Sequence, residues 1–119
     1  MKYMLMIHQG TTPTPLDPVA WGALTTDEQQ AIYAAYQEIN ATPGVTPGEG
    51  LESPDMATTV RVTDGRTITT DGPFVDTKES INGYLIFEAD DLDAAIALAA
   101  KIPAARLGGA IEVRPIKQW

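Results

Sequence analysis

The 119-residue sequence contains no cysteine, which excludes disulfides, a thiolate nucleophile and cysteine-ligated metal and fits a cytoplasmic protein. It has one histidine, His8. A transition-metal site draws on several nitrogen or sulfur ligands, so no metal and no cofactor is expected. A haem on a single axial histidine is the formal exception, and nothing else in the chain selects for it. Basic residues are few: eight Lys and Arg stand against sixteen Asp and Glu, a net charge of −8. They are also scattered, so nucleic acid and anionic membranes are poor partners. No apolar run approaches the ~18 residues of a membrane span. The start of the chain lacks the charged-then-apolar pattern of a secretion signal.

What is present is 44% hydrophobic, enough for one core and too little chain for two, so residues 1–119 read as a single domain. Lys2 to His8 is a short continuous apolar run and reads as a strand buried on both faces. Lys2, Met4, Met6 and His8 share one face of it, Tyr3, Leu5 and Ile7 the other. Residues 10–24 hold Pro13, Pro15, Pro18 and Gly22 and are expected to form a long loop without regular helix, its Trp21 packing on the body or on a second subunit. Thr25 with Glu28, and Thr26 with Gln29, have capping-box spacing and open a helix. Its stripe is Ile32, Ala35, Tyr36 and Ile39, and Pro43-Gly44 end it. Tyr33 lies off that stripe, toward solvent or a partner.

Val45 to Leu51 is broken by Pro47, Gly48 and Gly50 and reads as an edge or bulged strand, additional to the main pattern. Asp64-Gly65 marks a two-residue hairpin in which Thr63 pairs Arg66, Arg61 pairs Ile68 and Val60 pairs Thr69. A strand follows over residues 81–88. Asp90 or Asp91 then caps a helix with Leu92, Ala95, Ile96 and Ala99 inward, and Ala110 to Ile116 is the last strand.

Thr69 to Tyr84 is the densest polar stretch. Gly72 before Pro73 must turn the chain out of its strand. Asp71 is suited to bond nearby backbone in that turn, with Phe74 as its apolar anchor. Asp76, Thr77, Lys78, Glu79 and Ser80 then group two carboxylates, two hydroxyls and an ammonium. A solvated loop has this composition, and so has a ligand-facing one.

The same residues carry a resemblance. Asp71-Gly72-Pro73-Phe74, Thr77 to Glu79 and Gly83-Tyr84 resemble the DGPF branch of the YCII-related proteins. So do Met1 to Leu5, Gly48 to Leu51, Thr58 to Arg61, Pro103 to Ala105 and Ile111 to Pro115, covering nearly the whole chain. The resemblance implies a dimeric α+β barrel, and it points to settings connected with sigma-factor regulation. The histidine and aspartate pair of the YCII branch is not carried over, because Ala31 to Tyr36 contains no histidine. Asp71 matches the general region of its acidic member.

The order strand, helix, strands, helix, strand is a ferredoxin-like βαββαβ pattern: an α+β fold with an antiparallel sheet and helices on one face. Two helices cover one face only, so a homodimer burying sheet against sheet is expected, with room for a small-molecule ligand. The catalytic candidates are His8, Asp71 and Glu79, which can act as acid and base if they converge. Tyr84, Arg61 and Ser80 are the ligand-binding candidates. Arg61 and Arg114 suit a carboxylate ligand or a cross-strand pair with Glu52, Glu88 or Glu112. Ser80 and Ser53 have no adjacent histidine, which does not favour a nucleophilic triad. Two functions remain open: a pocket protein or cofactor-independent acid–base enzyme, and a non-enzymatic interaction module in which Trp21, Tyr33 and the proline-rich loop face another protein.

Overall fold

The computed structural model describes residues 1–76 and 79–119. The chain runs β1 (Lys2–His8), α1 (Pro18–Gly22), α2 (Thr26–Asn40), β2 (Val45–Gly50), β3 (Thr58–Thr63), β4 (Arg66–Asp71), β5 (Gly83–Glu88), α3 (Leu92–Ala99) and β6 (Ala110–Pro115). Strands β2, β5, β1 and β6 form an antiparallel sheet in that spatial order, and β3 with β4 forms a separate two-stranded ribbon. This is the ferredoxin-like α+β topology, with the ribbon inserted between its second and third strands.

That assignment corrects the sequence reading. The Asp64-Gly65 hairpin forms in the expected register, Thr63 opposite Arg66 and Arg61 opposite Ile68, and both turn residues take positive φ, 52° and 74°, as a tight hairpin turn requires. Yet the hairpin is the insertion, and Val45–Gly50 is the true second strand. Hairpin chemistry is local; membership of a sheet is decided by what a strand pairs with far away. β2 is an edge strand with a register shift between Pro47 and Gly50, the place where a proline without an N–H is tolerated. Gly48 is needed there, because a Cβ would collide with the carbonyl and ring of Tyr84 on β5.

Strand β1 is central and sets the core. Tyr3, Leu5 and Ile7 point under the helices and meet Leu85 and Phe87 of β5, Ile39 of α2 and Ala95, Leu98 and Ala99 of α3. The α3 stripe is therefore Ala95, Leu98, Ala99 and then Ile102, while Leu92 and Ile96 are exposed; the predicted stripe was misplaced by part of a turn. Asp91 caps α3 through the Ala94 N–H at 2.8 Å. A single-turn helix also forms within the proline-rich loop, against expectation: Asp17 accepts from Val19 and Ala20 N–H, and Pro18 sits in the first turn, where a missing N–H costs nothing.

Helix α2 begins with the predicted capping box, Thr25 N–H donating to Glu28 Oε1 at 2.9 Å and Glu28 N–H to Thr25 Oγ1 at 3.1 Å. The Thr25 backbone N–H first, and then the Thr25 side chain, hold the Glu28 carboxyl below its ordinary value of 4.5. A folded-state pKa below the unfolded one means the contribution is present above the unfolded value and is lost as pH falls through the folded one. Glu28→Gln should accordingly flatten the acid limb of stability against pH, read by urea denaturation between pH 3 and 6, and leave stability at pH 9 less pH-dependent than the acid limb.

Candidate functional site

The end of β1 feeds two hollows rather than one. Ile7 and His8 are neighbours in a strand, so their side chains leave on opposite faces of the sheet. Ile7 lines a cavity of about 310 Å³ beneath α2; His8 lines a wider hollow of about 670 Å³ on the face the helices leave open.

The cavity under α2 has aromatic walls. Tyr36 and Ile32, from the inward stripe of the helix, face it together with Tyr33 and with Trp21 from the end of α1. Trp21 meets Tyr33 edge to face, ring centres 5.5 Å apart at 70°, and is steadied by Gln29, whose side chain donates to the Trp21 carbonyl at 2.9 Å. Pro13 and Pro15 close the loop side. Burial pushes the Tyr36 phenol above its ordinary value, against a smaller lowering by the Gln9 side chain, so the neutral, hydrogen-bonding form is favoured. Amides supply most of the polarity: Gln9, Asn40 and Asn82 line the cavity, and Glu49 is the charged residue of its lining. Asn82 is also structural, its Oδ1 accepting from Gln9 N–H at 2.8 Å and its backbone bonding the Ile7 carbonyl and Leu51 N–H. Thr12 lines the same cavity, is only 8% exposed, and its Oγ1 has no hydrogen-bond partner among the described residues.

The hollow on the open face is polar. His8 Nδ1 lies 2.9 Å from the Glu79 carbonyl oxygen. A carbonyl only accepts, so Nδ1 carries the proton and Nε2 is left facing Glu112 Oε1 at 3.5 Å. Arg114 Nε is 3.9 Å from the other Glu112 oxygen. Gly10, Gly108 and Gly109 form the floor beside them. They are packed so closely that a Cβ on Gly109 would strike the carbonyls of His8 and Gln9.

The structure thus brings together two of the sequence candidates, His8 and Glu79, the latter through its backbone. Tyr84 lines the other cavity. Asp71 ends β4 opposite Thr58, is exposed, and lines neither of these two hollows. Ser80 is buried, donates to the Asp76 carbonyl at 3.1 Å and borders a third hollow with Phe74. Arg61 stacks on the Phe74 ring at 5.0 Å instead of pairing with a carboxylate. Phe74 is itself 74% exposed, so it does not anchor its loop. The turn is held by Gly72 N–H on the Ala57 carbonyl and the Thr59 hydroxyl on the Gly72 carbonyl, both at 2.7 Å. Thr77 and Lys78 lie outside the described residues.

Residues the sequence reading passed over are Thr12, Gln9, Asn40 and Asn82. The inward stripe of α2 held a signal, since a tyrosine among its four members brings a hydroxyl that a dry core does not need.

Comparison with known proteins agrees with this geometry at the level of family. The model of the YCII-related domain matches residues 1–119. An uncharacterised protein of Rhizobium meliloti (strain 1021) is 39% identical over 118 residues, covering 98% of this chain and 92% of that protein. Among solved structures, 5-chloro-2-hydroxyhydroquinone dehydrochlorinase from Burkholderia phenoliruptrix AC1100, in complex with 2,5-dihydroxybenzoquinone, aligns over 100% of this chain and 96% of its own at 19% identity, with a TM-score of 0.49. That last likeness is too distant to bear on chemistry. With a family model matched from end to end and a relative similar over almost its full length, the chain belongs to the YCII-related domain family.

Proposed function

We propose that the protein is a homodimeric small-molecule-binding protein whose ligand occupies the aromatic cavity under α2. The observation that carries this reading is the Thr12 hydroxyl, shut away from solvent without a partner in a wall of that cavity. An unsatisfied buried hydroxyl costs about 1–3 kcal/mol, a cost that a ligand polar group within reach removes. The cavity, about 310 Å³, is at the small end of the ~300–1,000 Å³ of small-molecule sites. Trp21, Tyr33 and Tyr36 favour a flat, apolar ring, and the three amides favour neutral donors and acceptors on its edge. Trp21, Tyr33 and Pro13 thereby serve the cavity, which supports a pocket over an interaction module built on the same residues.

A second reading, acid–base chemistry without a cofactor, is supported by the pairing at His8. With Nδ1–H donating to Glu79, Nε2 offers a lone pair to the hollow. It can take a proton from a bound substrate, and Glu112 stabilises the imidazolium until the proton returns. Asp71 plays no part in this reading.

Thermal shift against a panel of phenol, indole and 2-naphthol tests both. Thr12→Val should raise the stability of the free protein by about 1 kcal/mol and reduce the shift given by any compound that binds. Trp21→Ala should reduce it further, and His8→Gln should leave it intact while abolishing turnover of any compound the wild type converts. Loss of stability in Thr12→Val, or binding indifferent to both Thr12→Val and Trp21→Ala, would remove the cavity from consideration.

A further inference from the structure

The ribbon of β3 and β4 has no surface of its own to lie on. Every residue in it except Thr59 is exposed, Val60 at 60% and Val62 at 68%, and no other strand pairs with it among the described residues. The radius of gyration is 16.2 Å, where a compact chain of this length has roughly 13.5 Å, and the molecule measures 50 × 43 × 18 Å. A lone two-stranded hairpin is marginal in water. This one lacks the charges that usually protect such a ribbon on one side: Val60 and Val62 share a face with Thr58, Thr67, Thr69 and, at its base, Asp71.

The sheet has a matching deficiency. Opposite its helices lie Met4, Tyr84 and Ile86, each half-buried, around Met6, which is 7% exposed; alternation and register place the four side by side. Lys2, Glu88, Glu112 and Arg114 stand around them.

We propose that the ribbon is a clamp for a second copy of this chain: two copies meet through their open sheet faces, and each ribbon reaches past its own sheet to lie on the other copy with Val60 and Val62 inward. The inference rests on the homodimer reading and adds the element that makes the pair stable. Area is the first reason. Four strands about 4.8 Å apart and about 20 Å long offer a projected face of roughly 400 Å², about half of the ~800 Å² per partner that a stable complex buries. The ribbon's exposed apolar side supplies the remainder. Charge is the second. Each copy carries −8, and two such bodies repel; the ribbon, with Arg61 and Arg66 against Asp64 and Asp71, is neutral and lets them approach. A two-fold pair satisfies both deficient surfaces twice with one contact. It also roofs the His8 hollow, which opens on the same face.

Sedimentation of the full chain, wild type and the double variant Val60→Asp/Val62→Asp, tests the clamp. The wild type should sediment as a dimer at micromolar concentration. The double variant should be monomeric there, its dissociation constant weakened on the order of a hundredfold, with an unchanged far-ultraviolet spectrum because both positions are exposed in the single chain. In an otherwise cysteine-free protein, Val62→Cys adds a single reporter: its thiol should react slowly with a disulfide reagent in the dimer and at the free-thiol rate on dilution. This readout decides the matter if the double variant does not fold. A wild-type dimer unaffected by the double substitution, or a Val62→Cys thiol that reacts freely in the dimer, overturns the clamp and leaves the homodimer standing. A wild type that is monomeric at every concentration overturns both.

Discussion

Leu5→Ala should cost about 2–5 kcal/mol of stability, among the largest single losses in this chain. Leu5 is 0% exposed, lies opposite Leu85 on one side and Val113 on the other, and sits in the cluster that joins both long helices to the sheet. Removing its branched end leaves a hole that neighbours on a central strand cannot close, since they are held by backbone ladders on either side. Domains of this size have about 5–15 kcal/mol in all, so the loss is a large fraction of the total. Urea denaturation should show it as a lower midpoint with unchanged slope. Met4→Ala, one residue away on the open face, offers the comparison. Its cost should be small in a dilute monomer and grow with protein concentration if that face is an interface. A Leu5→Ala cost below ~1 kcal/mol would mean the core is not assembled around β1.

Gly109→Ala should be strongly damaging next to the His8 hollow. The added methyl meets the carbonyls of His8 and Gln9, and neither is a flexible side chain that can turn aside. The backbone must shift where Ala110 pairs with His8 and where Gly109 N–H bonds the Ala104 carbonyl at 2.8 Å. Overpacking of this kind costs about 1–3 kcal/mol. Because the displaced backbone lies where β1, which carries His8, meets β6, which carries Glu112, the hollow is altered with it. Gly22→Ala is the control: nothing stands within 4 Å of its added Cβ, so it should be neutral or slightly stabilising. Equal effects of the two substitutions, measured by thermal denaturation, would show that the close packing at Gly109 does not matter.

The aromatic cavity illustrates how far residue patterns reach. The stripe Ile32, Ala35, Tyr36 and Ile39 was readable from spacing, and so were the proline-rich loop and its Trp21. That these enclose one space with Asn82, dozens of residues further on, was not, because no pattern encodes the distance between a loop and a strand it never pairs with. Grouping His8 with Tyr84 in one pocket failed for a related reason. Register puts both on the open face, Tyr84 opposite Met6 and His8 two residues along β1, but the Tyr84 ring lies over Gly48 of the β2 edge while His8 faces Glu112 of β6, and spacing along the chain does not say which way across a sheet a side chain turns.

From the sequence alone came everything that depends on neighbours within a few residues: the Thr25 and Glu28 cap, the Asp64-Gly65 turn with its register, the alternation along β1, the exclusions that follow from one histidine and no cysteine, and the order of elements that makes the fold ferredoxin-like. Only the tertiary structure decided which strands share a sheet, which side of α3 is buried, and where His8, Thr12 and the ribbon end up. Those outcomes turn on contacts between residues tens of positions apart, such as β1 with β5 and β6, whose free energy comes from mutual burial and hydrogen bonding that no short segment possesses by itself.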